Sequence, residues 1–300
     1  MKIAVTGRSG QVVRSLLERG MIAGHEVMAL GRPELDLEDS VSARSVLEGA
    51  SPDVIVSAAA YTAVDKAEGE RELAYAVNAK GAGAVAEAAR GLGVPLIHLS
   101  TDYVFDGTLD RPYIESDPTG PTGVYGASKL AGEQAVLAAY GDNSAILRVA
   151  WVYSPFGSNF VKTMLRLAAE REEVGVVADQ IGNPTSALDI ADGILSVAAN
   201  LCLRSDPALH GLFHMTGRGE ASWADFAEAI FAASGKLGGP TARVRRIGTV
   251  DYPTPARRPA NSRLESGLIA RVYGVGLPDW QSSLKTVVAQ LQSAGRNEYT

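Results

Sequence analysis

Short β-branched runs alternate with alanine- and leucine-rich stretches through the first half of this 300-residue chain, and few folds admit that alternation. Strand, helix and strand in succession build a parallel sheet covered by helices on both faces. Lys2–Thr6 reads as the first strand, Gln11–Arg19 as the first helix and Glu26–Leu30 as the second strand. A third strand is expected near Leu35–Leu37. Asp53–Ala60 (DVIVSAAA) is apolar without interruption, as a strand buried on both faces would be. A long helix over Glu70–Leu92, closed by Gly91, Gly93 and Pro95, leads to a fifth strand over Pro95–Ser100. A helix over Tyr125–Tyr140 leads to a sixth over Ala145–Trp151.

Past Trp151 the pattern loosens. Asn159–Glu173 reads as helix, and Val174–Asp179 and Gly211–Thr216 read as late strands returning to the same sheet. Gly235–Leu264, rich in Gly, Pro and Arg, reads as a lid or substrate-side region. The expected fold is α/β, a Rossmann-type doubly wound parallel sheet with a smaller substrate-binding region from the C-terminal half. Residues 1–153 plus about 174–218 are expected to form the dinucleotide-binding part, and about 154–173 plus 219–300 the substrate part.

Composition narrows the function. With 46% hydrophobic and 21% charged residues the chain can bury a sizeable core, which excludes a largely disordered protein. A net charge of −6 gives no footprint for nucleic acid or an anionic membrane. No run approaches the ~18 apolar residues of a membrane span. The single Cys202 has no internal disulfide partner, no N-x-S/T sequon occurs and no leader precedes the first strand, so a cytoplasmic location is expected. Cys202 lies between apolar neighbours and reads as a buried structural thiol.

The first strand runs straight into TGRSGQV. Gly7 and Gly10 let the backbone turn tightly and approach a pyrophosphate, with the N-terminus of the next helix behind it. The same spacing also suits an ordinary strand–helix turn, and Val13 stands where a third glycine is usual. The second strand ends Leu30-Gly31-Arg32 with no carboxylate to accept a ribose 2′-hydroxyl. Arg32, with Arg8 as second candidate, would instead pair with a 2′-phosphate. NADPH is therefore the expected cofactor and NADH the alternative, with Asp36 and Leu37 bordering the adenine.

Tyr125 and Lys129, in YGASK, share a helix face, and Thr101 ends the preceding strand. A phenol titrates near ~10, and a nearby ammonium favours the phenolate, bringing Tyr125 toward useful acid–base work. Lys129 would also reach the cofactor ribose, and the Thr101 hydroxyl would hold a substrate carbonyl. Asn78 either completes this catalytic set or ties backbone groups together. His25, His98, His210 and His214 show no metal-ligand spacing, so no metal site is expected. His98 and His214 alternate with strand apolars and read as core or rim residues.

These residues carry a resemblance. The strings GRSGQV, PDVIVSAAAYTAVDKAE, STDYVFDG, VYGASKLAGEQA, RVAWVY, DQIGNPT and YPTPARRPANSRL, spread over nearly the whole chain, are similar to those of the dTDP-4-dehydrorhamnose reductase family of extended short-chain dehydrogenase/reductases. The resemblance implies reduction of the C4 ketone of a dTDP-4-dehydro-L-rhamnose substrate, with Tyr125 as proton donor, Lys129 tuning it and Thr101 on the ketone. It implies that Gly10, Gln11 and Val12 touch the pyrophosphate, and that Ala60, Tyr61 and Thr62 flank the cofactor. Asp102 and Trp151 would contact the sugar, and Asn159, Arg258 and Arg263 the diphosphate and nucleotide. A reductase for another dTDP-keto-deoxysugar, or a non-catalytic subunit resembling the regulatory subunit of methionine adenosyltransferase, are the alternatives. A 4,6-dehydratase is disfavoured, because Tyr103 follows Thr101-Asp102 where dehydratases carry a glutamate.

Three departures from the family stand out. Gly31 replaces an acidic residue and Ser57 a frequent asparagine. Some members form a magnesium-bridged dimer through acidic side chains. Ser15 and Leu188 occupy two of those positions, so that bridge is not expected here and a homodimer of another kind stays open.

Overall fold

The computed structural model describes residues 1–297. Strands β1 (Lys2–Thr6), β2 (Glu26–Leu30), β3 (Val54–Ser57), β4 (Leu96–Thr101) and β5 (Ser144–Val149) are followed by β6 (Glu173–Val177), β7 (Gly211–His214) and β8 (Arg243–Ile247). Six of them form one wholly parallel sheet in the order β7-β5-β4-β3-β1-β2. Helix α1 (Gln11–Ile22) follows β1 and α2 (Ser40–Ala50) follows β2. Between β3 and β4 runs α3 (71–92), whose middle, Ala76–Gly81, widens into a π-helix. Then come α4 (Val124–Tyr140), α5 (Phe160–Glu170), α6 (Ala187–Leu203), α7 (Trp223–Lys236), α8 (Gly267–Tyr273) and α9 (Trp280–Asn297).

The two faces of the sheet explain the uninterrupted apolar strands. Ile3, Val5, Val54, Val56, Ile97 and Leu99 point to one side, into a core completed by α1, α6 and α8. Ala4, Ile55, Leu96 and Ile146, one residue out of phase, meet α2, α3 and α4 on the other. A further core lies outside the sheet, where α5, α7, α9 and β6 pack together around Phe226 and Trp280.

Local chemistry sets where strands stop. β3 ends at Ser57 because the N–H groups of Ala58 and Ala59 both donate to the Thr6 hydroxyl, 3.0 Å each, and so leave the ladder. β5 ends at Val149, and two residues later Trp151 adopts a left-handed backbone at φ +45°. The strand expected near Leu35–Leu37 is absent. Leu35 and Leu37 are buried, but in a turn between the cis Arg32–Pro33 bond and the Asp39 cap of α2, whose carboxylate accepts from Val41 and Ser42 N–H. The Leu-x-Leu alternation reflects packing against α2 and α3 without a strand partner.

Of the two late strands, β7 does return to the main sheet. β6 does not: it pairs in parallel with β8, inside the segment expected to be a lid. Its alternate residues Val174 and Val176 are buried in the outer core, and Glu173 pairs with Arg243 and Arg245 across the ribbon. Cys202 is exposed rather than buried, because the last turn of α6 outruns the core; Leu201 is buried and Leu203 lies in solvent. Among the described residues no helix is long and apolar enough to cross a membrane.

Candidate active site

The C-terminal ends of β1, β3, β4 and β5 open on one cavity of about 670 Å³. That is where parallel α/β sheets place their ligands. Gly7 turns the chain out of β1 at φ +100°, a region closed to side chains, and its N–H donates to the Leu30 carbonyl at 2.6 Å. Gly10 caps α1 with no side chain, so the first-turn N–H groups are left for a ligand. Val13 is buried in the sheet core and fills the space beside Gly7, which answers the missing third glycine. An uncapped helix start opening into a roomy cavity fits a dinucleotide pyrophosphate.

The opposite wall carries the reactive groups. Tyr125 lies in the first turn of α4 and Lys129 one turn on, beside Thr101 at the end of β4. Burial pushes the Tyr125 phenol up to about 12, with hydrogen bonding to Thr101 opposing it. The phenol is thus a protonated acid at neutral pH. The Lys129 ammonium, itself lowered to about 8 by burial, donates to the Leu99 carbonyl at 2.6 Å and lies 3.5 Å from His98 Nε2. The expected lowering of the phenol by Lys129 is not seen: burial dominates at Tyr125, and the ammonium is engaged with the Leu99 carbonyl of β4. Thr101 donates to the Asp102 carboxylate at 2.9 Å and accepts from the Tyr103 N–H. Burial pushes Asp102 up to about 6.

Asn78 proves to be a clip. Its side chain accepts from Tyr61 N–H at 2.7 Å and donates to the Tyr61 carbonyl and to Ser128 Oγ, each at 3.0 Å. It sits in the π-helical part of α3, against which α4 packs at Gly132; a Cβ there would fall 2.1 Å from the Asn78 carbonyl oxygen. One residue thus fixes the loop after β3 and the helix that carries Tyr125. His98 and His214 are core residues as expected, both buried and both held well below the ordinary imidazole value by burial. The Ser57 hydroxyl meets His98 Nδ1 at 3.0 Å.

Of the residues expected to hold cofactor, Gly7, Gly10, Gln11, Val12, Ala60 and Thr62 line the cavity. Arg32, Asp36, Leu37 and Tyr61 do not. Arg32 is bound to Asp36 and Glu38, Leu37 is core, and the Tyr61 phenol donates to Glu70 at 2.6 Å. On the substrate side Asp102 and Trp151 line the cavity, while Asn159, Arg258 and Arg263 do not. Asn159 caps α5 through Lys162 N–H. Arg258 pairs with Asp65 at 2.8 Å, and Arg263 donates to the Asp110 carbonyl at 2.6 Å.

The family described as RmlD substrate binding domain matches residues 1–293. A dTDP-4-dehydrorhamnose reductase of Sinorhizobium fredii is 50% identical, over 99% of this chain and 100% of that one. The chain belongs to the dTDP-4-dehydrorhamnose reductase family. The crystal structure of the Clostridium acetobutylicum reductase is similar with a TM-score of 0.90 at 37% identity, covering 97% of this chain and 100% of that one. The Bacillus anthracis reductase, solved in complex with NADP, gives 0.89 at 35% identity with the same coverage.

Seen as a member of this reductase family, the chain has cavity residues that its sequence did not betray. Trp223 and Phe160 come from the C-terminal half, and Trp223 stacks on Trp151 with ring centroids 3.6 Å apart. The serine–aspartate capping box that starts α7 fixes the backbone just before Trp223, and was the one available signal. Tyr103, edge-on to Tyr125 at 5.5 Å, also lines the wall.

Proposed function

We propose that this chain reduces the C4 ketone of dTDP-4-dehydro-L-rhamnose to the alcohol, using NADPH and, more weakly, NADH. The observation that carries the reading is the meeting of Tyr125, Thr101 and Lys129 on one wall of a cavity whose other wall is the uncapped start of α1. Bound NADPH supplies the hydride. Tyr125, held protonated by burial, donates its proton to the ketone oxygen as negative charge develops there. The Thr101 hydroxyl turns from Asp102 to the same oxygen, and Asp102 then accepts from a sugar hydroxyl. Lys129 would exchange the Leu99 carbonyl for the nicotinamide ribose, and its ammonium charge would stabilise the phenolate that remains until solvent returns the proton. Trp151, with Trp223 behind it, covers the sugar and excludes water.

The proposal divides the chain at the cavity. Residues 1–153 and about 187–218, with α8 packed on their sheet, hold the dinucleotide; α5, residues 219–266 and α9 hold the sugar nucleotide, and β6 packs with them. It places the protein in the cytoplasm with a nucleotide sugar as its partner molecule. A homodimer would cover the exposed Met21 and Ile22 on α1 and Leu203 on its neighbour α6. The test is nucleotide oxidation with enzymatically generated dTDP-4-dehydro-L-rhamnose, run with NADPH and NADH in parallel. Formation of dTDP-L-rhamnose is expected; turnover only with a different dTDP-4-keto-sugar would reassign the substrate.

A further inference from the structure

The end of β2 lacks the side chain that would read the adenine ribose. A Cβ on Gly31 would lie 3.1 Å from Arg8 Cγ and 3.2 Å from the Gly7 backbone. The stem of Arg8 therefore crosses the place that a carboxylate at the end of β2 would fill. Arg8 lines the cavity and Arg32 does not. Arg32 is turned to Asp36 at 3.2 Å and Glu38 at 3.3 Å. Among the described residues the Arg8 guanidinium has one partner: Nη2 lies 2.5 Å from Glu34 Oε2, in the turn closed by the Leu35 N–H on the Gly31 carbonyl. Both side chains are about half exposed, 49% and 56%.

We propose that Glu34 is a specificity-determining residue: it competes with the 2′-phosphate of NADPH for Arg8, and so holds the preference for NADPH below what the arginine alone would give. This rests on the reading of the cavity as a dinucleotide site. A phosphate monoester and a carboxylate draw on the same guanidinium charge and N–H donors, and Glu34 already holds Nη2, so the phosphate must share Arg8 with it or displace it. Glu34 also repels the incoming phosphate. NADH carries a hydroxyl at that position, so it neither displaces Glu34 nor meets the repulsion. The effect falls on one cofactor only, and its size is that of an exposed ion pair, about two- to fivefold in affinity.

Isothermal titration of the full chain with 2′,5′-ADP and with 5′-ADP separates the terms. Glu34→Gln is expected to tighten 2′,5′-ADP about two- to fivefold and to move 5′-ADP by less than about 1.5-fold, with the gain shrinking in high salt. Arg8→Met is expected to weaken 2′,5′-ADP at least tenfold and to abolish the gain when combined with Glu34→Gln. Arg32→Met is expected to change neither ligand. A Glu34→Gln variant that leaves 2′,5′-ADP unmoved, or moves both nucleotides alike, overturns the proposal. A larger loss from Arg32→Met than from Arg8→Met moves the phosphate to Arg32 and overturns it too. If the unaltered chain binds neither nucleotide, the dinucleotide reading itself fails and the proposal falls with it.

Discussion

Glu133→Gln should make this protein unfold far more readily while exchanging a single heavy atom. Glu133 on α4 and Arg148 on β5 form a two-pronged ion pair, at 2.8 and 2.6 Å, with both residues about 1% exposed. Ser100 on β4 donates to the same carboxylate at 2.5 Å. The glutamine leaves the guanidinium buried without a counter-charge, and breaking such a pair from one side costs about 3–5 kcal/mol. A chain of this length unfolds with an entropy near ~0.6 kcal/mol/K, so the midpoint should fall by roughly 5–8 °C. Urea titration and thermal unfolding by circular dichroism read both quantities. A loss under about 1 kcal/mol would refute the reasoning, since it would mean that water or backbone already serves Arg148.

Two further readouts follow from where the pair sits. Replacing both partners, Glu133→Leu with Arg148→Met, removes two desolvated charges at once and should recover most of the loss. Glu133 also raises the Lys129 ammonium against the lowering by burial. With that charge gone, Lys129 should lose its proton below about 8, and nucleotide binding should decline at lower pH than in the unaltered chain.

Three other outcomes are expected. Tyr125→Phe removes the proton donor and little volume, so kcat should fall by roughly 10²–10⁴ with 5′-ADP affinity kept; near-full activity would remove Tyr125 from the reaction. Asp102 has its folded value raised to about 6 from 3.8, so the native state holds the extra proton between those values and stability falls as pH rises through them. Asp102→Asn should therefore be about 1–3 kcal/mol more stable at pH 7, matched to the unaltered chain below about pH 4, and poorly active; a difference independent of pH would exclude this account. Gly132→Ala drives a methyl against the Asn78 carbonyl and should cost about 1–3 kcal/mol, whereas Gly49→Ala, with nothing within 4 Å, should not destabilise; equal losses in urea melts would show that packing at the π-helix is not the cause.

How much of this was legible in the sequence depended on whether one segment alone decided the outcome. β1 and the centres of β3, β4 and β5 stood out because each is buried on both faces, so its own residues sufficed, and the half-buried edge strand β2 stood out by its short apolar run between Glu26 and Gly31. Leu35–Leu37 misled because a two-residue apolar alternation is equally served by a turn packed on two helices. β6 was recognised as a strand, but its partner, 70 residues later in an arginine-rich segment, could not be inferred from its own pattern. Tyr125 and Lys129 were visible from their spacing, and Thr101 from its place at a strand end. The lowering of the Tyr125 phenol by Lys129 that the spacing suggested is not seen, because the ammonium's partners, the Leu99 carbonyl and His98, belong to another element and were not legible in α4 itself.

Four polar residues expected to bind ligand that the structure did not bring to the cavity share a physical trait. Asn159, Arg258, Arg263 and Arg32 each already have their polar atoms committed, to a helix start, to Asp65, to backbone carbonyls or to carboxylates. A residue in that position contacts a ligand only by exchanging one hydrogen bond for another, and such an exchange nets about 0.5–1.5 kcal/mol at most. Among the groups that do face the cavity, the uncapped turn of α1, the phenol of Tyr125 and the carboxyl of Asp102 have capacity to spare, whereas Arg8, Thr101 and Lys129 each exchange a partner on binding. Residue type tells which side chains are able to bind a phosphate or a sugar. Which of them are free to do so is set by partners up to 193 positions away, and Asp65 against Arg258 is that case.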